Sequence, residues 1–145
     1  DPKARREFWD EIHELADDGL TVLVSTHYMD EAERCHKICY LAYGRLLARG
    51  TADEVIAASH LQTWTVTAPS QKRIHRLARD LSGRHGVDIV APFGTVLHVS
   101  GTNGDALNQA VAPYRSDAGL IWKQDEATLE DVFILMMKQT PDNFQ

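Results

Sequence analysis

Residues 20–25 constrain the fold more than any other stretch of the chain. Leu20, Thr21, Val22, Leu23, Val24 and Ser25 form an apolar, β-branched run without the alternation of a half-solvated strand. Such a run predicts a strand buried on both faces, which beside helices means a parallel sheet. The segment before it predicts a helix: Asp1 can cap, Pro2 suits the first helical position, and Phe8, Trp9, Ile12, Leu15 and Ala16 recur at helical spacing until Gly19. After Thr26 and His27 come a short polar helix over 29–35 and a strand over 38–42. Tyr43, Gly44 and Arg45 turn into a strand over 46–48. Thr51 with Glu54 spells a capping box for a helix through Ala58.

From residue 61 the rhythm changes. An alternating strand over 63–67 leads into an amphipathic helix over 70–81 that buries Ile74, Leu77, Ala78 and Leu81 and closes at Gly83. Two strands, 87–91 and 96–100, flank Pro92, Phe93, Gly94 and Thr95 as a hairpin. A helix over 105–114 and a strand over 120–123 complete the order β-α-β-β-α-β of a ferredoxin-like split βαβ unit. A last helix over 129–138 carries Leu129, Val132, Phe133 and Met136 on one face. The expected class is therefore α/β plus α+β, in two units spanning 1–60 and 61–145. Charge divides the same way: net −5 on residues 1–60 and net −1 on residues 61–145.

Composition excludes several roles. At 145 residues with 43% hydrophobic content, the chain needs no metal or disulfide to hold its core. The net charge of −6 supplies no field for polyanions, so neither nucleic acid nor an anionic membrane is an expected partner. Two cysteines make no secreted scaffold, no run approaches the ~20 residues of a membrane span, and no leader pattern is present, so a reducing cytoplasmic setting is expected.

His27 is the residue that most suggests chemistry, because ligands collect at the carboxyl ends of parallel strands. Its position alone is more often that of a structural histidine than of a functional one. Cys35, His36 and Cys39 lack a second ligand pair and read as buried thiols, so no metal site is expected. Lys72, Arg73, Arg76 and Arg79 read as a solvated helix face, Trp64 and Trp122 as core, and Asp30, Glu31 and Glu33 as solvated surface favoured by the helix dipole.

A family resemblance adds to this. Asp1-Pro2, the run Ser25-Thr26-His27-Tyr28-Met29-Asp30-Glu31-Ala32, and Gly44-Arg45-Leu46-Leu47-Ala48-Arg49-Gly50-Thr51 resemble the final part of an ABC transporter nucleotide-binding domain, an ABC-type P-loop NTPase fold, most of all that of bacterial exporters. Ala127-Thr128-Leu129-Glu130-Asp131-Val132-Phe133-Ile134 is similar to the C-terminal extension of such ATPases. The resemblance implies that His27 is the switch histidine, hydrogen-bonding a γ-phosphate and placing the attacking water, and that Asp1 ends the D-loop at the nucleotide interface.

The same resemblance implies ATP and Mg as cofactors, a membrane permease and a second ATPase subunit as partners, and a place on the inner face of the plasma membrane through that permease. The chain contains no G-x-x-x-x-G-K-[ST] loop. It is therefore expected to be a portion of a parent ATPase, cut inside the D-loop, neither binding ATP tightly nor hydrolysing it alone, and self-associating through the unpaired edges of residues 20–25. The alternative is a non-catalytic regulatory or dimerisation module that binds a small ligand or a protein subunit.

Overall fold

A computed structural model describes residues 1–140. Helix α1 (Pro2–Asp17) starts as its sequence dictates, with the Asp1 carboxylate accepting from Lys3 N–H and proline at the first position. It ends in a Schellman closure: Gly19 N–H donates to Ala16 C=O and Leu20 N–H to Leu15 C=O, both at 3.0 Å, which needs the positive φ of 95° that Gly19 adopts. Of its apolar face only Trp9 is buried.

The expected strand over 20–25 is absent. These residues take no regular structure, and Leu23 is 99% exposed. A strand exists through its ladder partners, and no described segment pairs with this one. The parallel sheet expected around it is likewise not found among the described residues, where every strand pair is antiparallel. His27 therefore lies in a loop rather than at a strand end. The following helix α2 (Met29–Ala32) is shorter than the expected 29–35.

Strands β1 (Ile38–Ala42) and β2 (Arg45–Gly50) form an antiparallel hairpin through Tyr43 and Gly44. Cys39 points outward on β1 and is exposed, and Cys35 is half-buried, which corrects their reading as buried thiols. Helix α3 (Ala52–Ser59) carries the full capping box, with Glu54 N–H donating to Thr51 Oγ1 and Thr51 N–H to the Glu54 carboxylate.

The second sheet contains β3 (Gln62–Thr67), β4 (Ile89–Phe93), β5 (Val96–Gly101) and β6 (Ile121–Glu126) in the order β4-β5-β3-β6. The β4-β5 loop is narrower than the sequence suggests: Phe93 already pairs with Val96, leaving Gly94 and Thr95 as the turn. Helices α4 (Gln71–Leu81) and α5 (Gly104–Val111), the latter extended by a 3-10 turn over Ala112–Tyr114, cover one face. Their core gathers Trp64, Val66, Ile74, Leu77, Leu97, Val99 and Leu107, so Trp64 is core, with its indole N–H donating to Asn108 Oδ1 at 2.9 Å.

Helix α6 (Leu129–Gln139) covers the opposite face. Pleating sends Ile89 and Ala91 to that side, where they pack with Leu129, Val132 and Phe133 of α6. The same cluster includes Ile38 of β1 and Val55 of α3, and the Phe133 ring stacks on Tyr40 at 3.9 Å. Helix α6 is thus the wedge between the hairpin unit and the second sheet, giving a mixed α/β structure with two sheets. No helix of the described residues is long and apolar enough to cross a membrane.

Candidate functional site

Asp1 and His27, the two residues singled out in the sequence, lie near one group of side chains at the start of α1. The Asp1 carboxylate is engaged at the helix N-terminus through Lys3 N–H at 2.9 Å. One turn later Arg5, whose N–H bonds to Asp1 C=O, extends its guanidinium over the Tyr28 ring at 4.4 Å from the centroid. The His27 ring is exposed and lies against Tyr28 with centroids 4.2 Å apart and planes at 33°. Among the described residues its imidazole nitrogens make no hydrogen bond, so either nitrogen is free to meet a ligand oxygen. No hydrogen bond or ion pair joins Asp1 to His27 directly.

Glu31 is the residue that sequence reasoning misplaced. Expected as solvated surface, it is 7% exposed. Arg5 Nε–H donates to Glu31 Oε1, and Thr26 Oγ1–H donates to Glu31 Oε2. Those two hydrogen bonds, in that order, outweigh burial and hold the Glu31 carboxyl at about 2, far below the ordinary 4.5, with Trp9 adding to the effect. The pairing partner stands 26 residues away on α1, so no local pattern announces it.

The depressed Glu31 value has a direct consequence for stability. A carboxyl with a lowered folded pKa stabilises the native state above its ordinary value, and that contribution is lost as pH falls through the folded value. Glu31→Gln is therefore expected to be less stable than wild type near neutrality, with the gap closing as pH falls from about 4.5 to about 2. Denaturant titrations across that window check it, and a gap independent of pH would contradict it.

An open groove of about 360 Å³ lies between α1 and residues 20–24, lined in part by Trp9, Ile12, Ala16 and Leu20. Val22 and Leu23, both exposed, also line it. No group of three or more His, Cys, Asp or Glu side chains that could hold a metal ion occurs among the described residues. Arg73 on α4 is paired with Asp117 at 3.1 Å.

A second titratable pair was not visible in the sequence. His98 on β5 meets the fully buried Asp131 of α6, with Nδ1 at 3.3 Å from both carboxylate oxygens. The capping-box spacing of Thr128 and Asp131 was available as a signal; the cross-sheet partner was not.

No family model matches the chain. It is 49% identical over 59 residues to the probable multidrug ABC transporter ATP-binding protein YbhF of Escherichia coli (strain K12), covering 41% of this chain and 10% of that protein. The Nod factor export ATP-binding protein I of Burkholderia pseudomallei (strain 1710b) is 31% identical over 140 residues, covering 92% of this chain and 42% of the relative. The protein of the same name from Neorhizobium galegae is 31% identical over 139 residues, covering 92% and 37%. The chain thus spans less than half the length of these relatives.

Proposed function

The chain belongs to the ATP-binding proteins of ABC transporters, and from that premise we propose that it is the C-terminal portion of an exporter's ATP-hydrolysing subunit. Residues 1–60 would be the distal part of the nucleotide-binding domain. Residues 61–145 would be a ferredoxin-like accessory domain with its terminal helix; residues 141–145 lie outside those described. The strand order β4-β5-β3-β6, with antiparallel neighbours and two helices on one face, supports that second assignment.

The observation that carries the functional reading is the His27 imidazole, exposed, free of hydrogen bonds among the described residues, and resting against the Tyr28 ring, in a chain whose relatives are ATP-binding proteins. One such donor fits a phosphate oxygen. Phosphoryl transfer needs little covalent participation from protein groups and depends on positioning and charge stabilisation. Here His27 would donate to the terminal phosphate and orient the attacking water, its tautomer set by what its second nitrogen meets. Mg-ATP, when bound, supplies the phosphoryl group and its charge neutralisation. The Asp1 carboxylate, which caps α1 through Lys3 N–H, would lie at the nucleotide interface between two subunits.

The remaining phosphate-holding groups would come from the longer subunit, since the chain has no G-x-x-x-x-G-K-[ST] loop. The subunit would pair with a second copy and act on a membrane permease from the inner face of the plasma membrane. Calorimetric titration of the 145-residue chain with Mg-ATP is expected to show no micromolar binding; micromolar binding would overturn this division of labour.

A second reading, a regulatory or dimerisation module, has one observation in its favour. An open cavity of about 900 Å³ lies where α3 meets β3 and β6, with Asp53, His60, Gln62, Thr102, Asp125 and Glu126 among its lining residues. Its polar side chains would suit a small polar ligand, and a metabolite that raises the melting temperature at low concentration would favour that reading.

A further inference from the structure

We propose that Arg5, Thr26 and Glu31 are positioning residues for His27, forming a tie that anchors the histidine loop to the first turns of α1; the proposal rests on the functional reading above. The donors of the tie converge on the Glu31 carboxylate from both sides. Tyr28 N–H donates to Thr26 Oγ1 at 3.1 Å, Thr26 Oγ1–H donates to Glu31, and Glu31 accepts from Arg5 with its other oxygen. A hydroxyl is the group that can accept from one side while donating to the other, and a donor chain ending on an ionised carboxylate is strengthened along its length.

The two residues flanking His27 are thereby held, while His27 itself is left unbonded. Tyr28 is held twice, through its backbone by Thr26 and through its ring by Arg5, and the His27 ring rests on that same ring. Glu31, 7% exposed, is the stiff point of the arrangement. Arg5 N–H also bonds to the C=O of Asp1, the N-cap of α1, so the tie links Asp1 to the histidine loop.

A group whose direction is set by its neighbours loses catalytic effect when those neighbours are released, and a displacement of about 1 Å can cost about 100-fold. Thr26→Val keeps shape and removes the hydroxyl. In the full ATPase subunit it is expected to lower kcat by about 10- to 100-fold with the Kd for Mg-ATP unchanged within about twofold, and Thr26→Ser is expected to restore kcat to within about threefold. Arg5→Lys keeps the charge but not the planar group over Tyr28 and is expected to lower kcat as well.

In the 145-residue chain, Thr26→Val is expected to speed hydrogen exchange at Tyr28 N–H by at least about 10-fold, as removal of its acceptor requires, while β3 and β5 keep their protection. Wild-type turnover or unchanged Tyr28 exchange in Thr26→Val would overturn the tie, as would an equal loss of Mg-ATP affinity and kcat. Hydrolysis lost in Thr26→Val but surviving in His27→Ala would instead overturn the functional reading itself.

Discussion

Asp131→Ala is expected to destabilise the protein by roughly 2–4 kcal/mol and to loosen α6 from the second sheet. Asp131 is fully buried and performs two tasks at once. It closes the capping box of α6, accepting from Thr128 N–H and donating its own N–H to Thr128 Oγ1, both at 3.1 Å. It also receives His98 Nδ1–H from the neighbouring strand. Burial pushes the Asp131 carboxyl up, but the hydrogen bonds from His98 and from the Thr128 backbone prevail and leave it below the ordinary value. The hydrogen bond to Asp131 raises His98 against the opposing effect of its own burial, with the charges of Asp131, Asp125 and Glu130 assisting.

The signs fix where the pair contributes. Asp131, lowered, stabilises above the ordinary carboxyl range and loses its contribution as pH falls through its folded value. His98, raised, stabilises below the ordinary 6.5 and loses its contribution as pH rises through its folded value. Denaturant unfolding of wild type and Asp131→Ala should therefore differ most between the ordinary carboxyl range and 6.5, the gap narrowing as pH falls through the folded value of Asp131 and, by the His98 share alone, as pH rises through the folded value of His98. A difference under about 0.5 kcal/mol near pH 6 would contradict the account. Because α6 also packs on Ile38 and Val55, loosening it should expose the hairpin unit to hydrogen exchange along with the face of the second sheet.

Local chemistry was legible in the sequence where it decides structure on its own. The capping box at Thr51 and Glu54, the glycine closure of α1, the two-strand turn at Gly94 and the buried face of α4 all follow from residues a few positions apart. The run over 20–25 shows the opposite limit. Its composition specifies what it would do between neighbouring strands, and without them it forms none, leaving Leu23 in solvent. Glu31 fails for a related reason: its burial is set by Arg5 and Thr26, and only folding brings α1 over the loop. At the candidate site the sequence singled out His27 and Asp1, but the residues that hold His27 in place were beyond any pattern of spacing. His98 and Asp131, 33 residues apart, were hidden in the same way.

The central claim is that His27 meets the terminal phosphate of ATP in the full subunit, and its loss should separate binding from turnover. Removing a single preorganised donor at a charged transition state costs about 100- to 1000-fold in kcat, whereas ground-state affinity rests on many other contacts. Single-turnover hydrolysis and Mg-ATP binding, measured side by side in the full ATPase subunit carrying His27→Ala, test this most directly. The account predicts a fall in kcat of about 100- to 1000-fold with Kd within about threefold of wild type; undiminished turnover would contradict it.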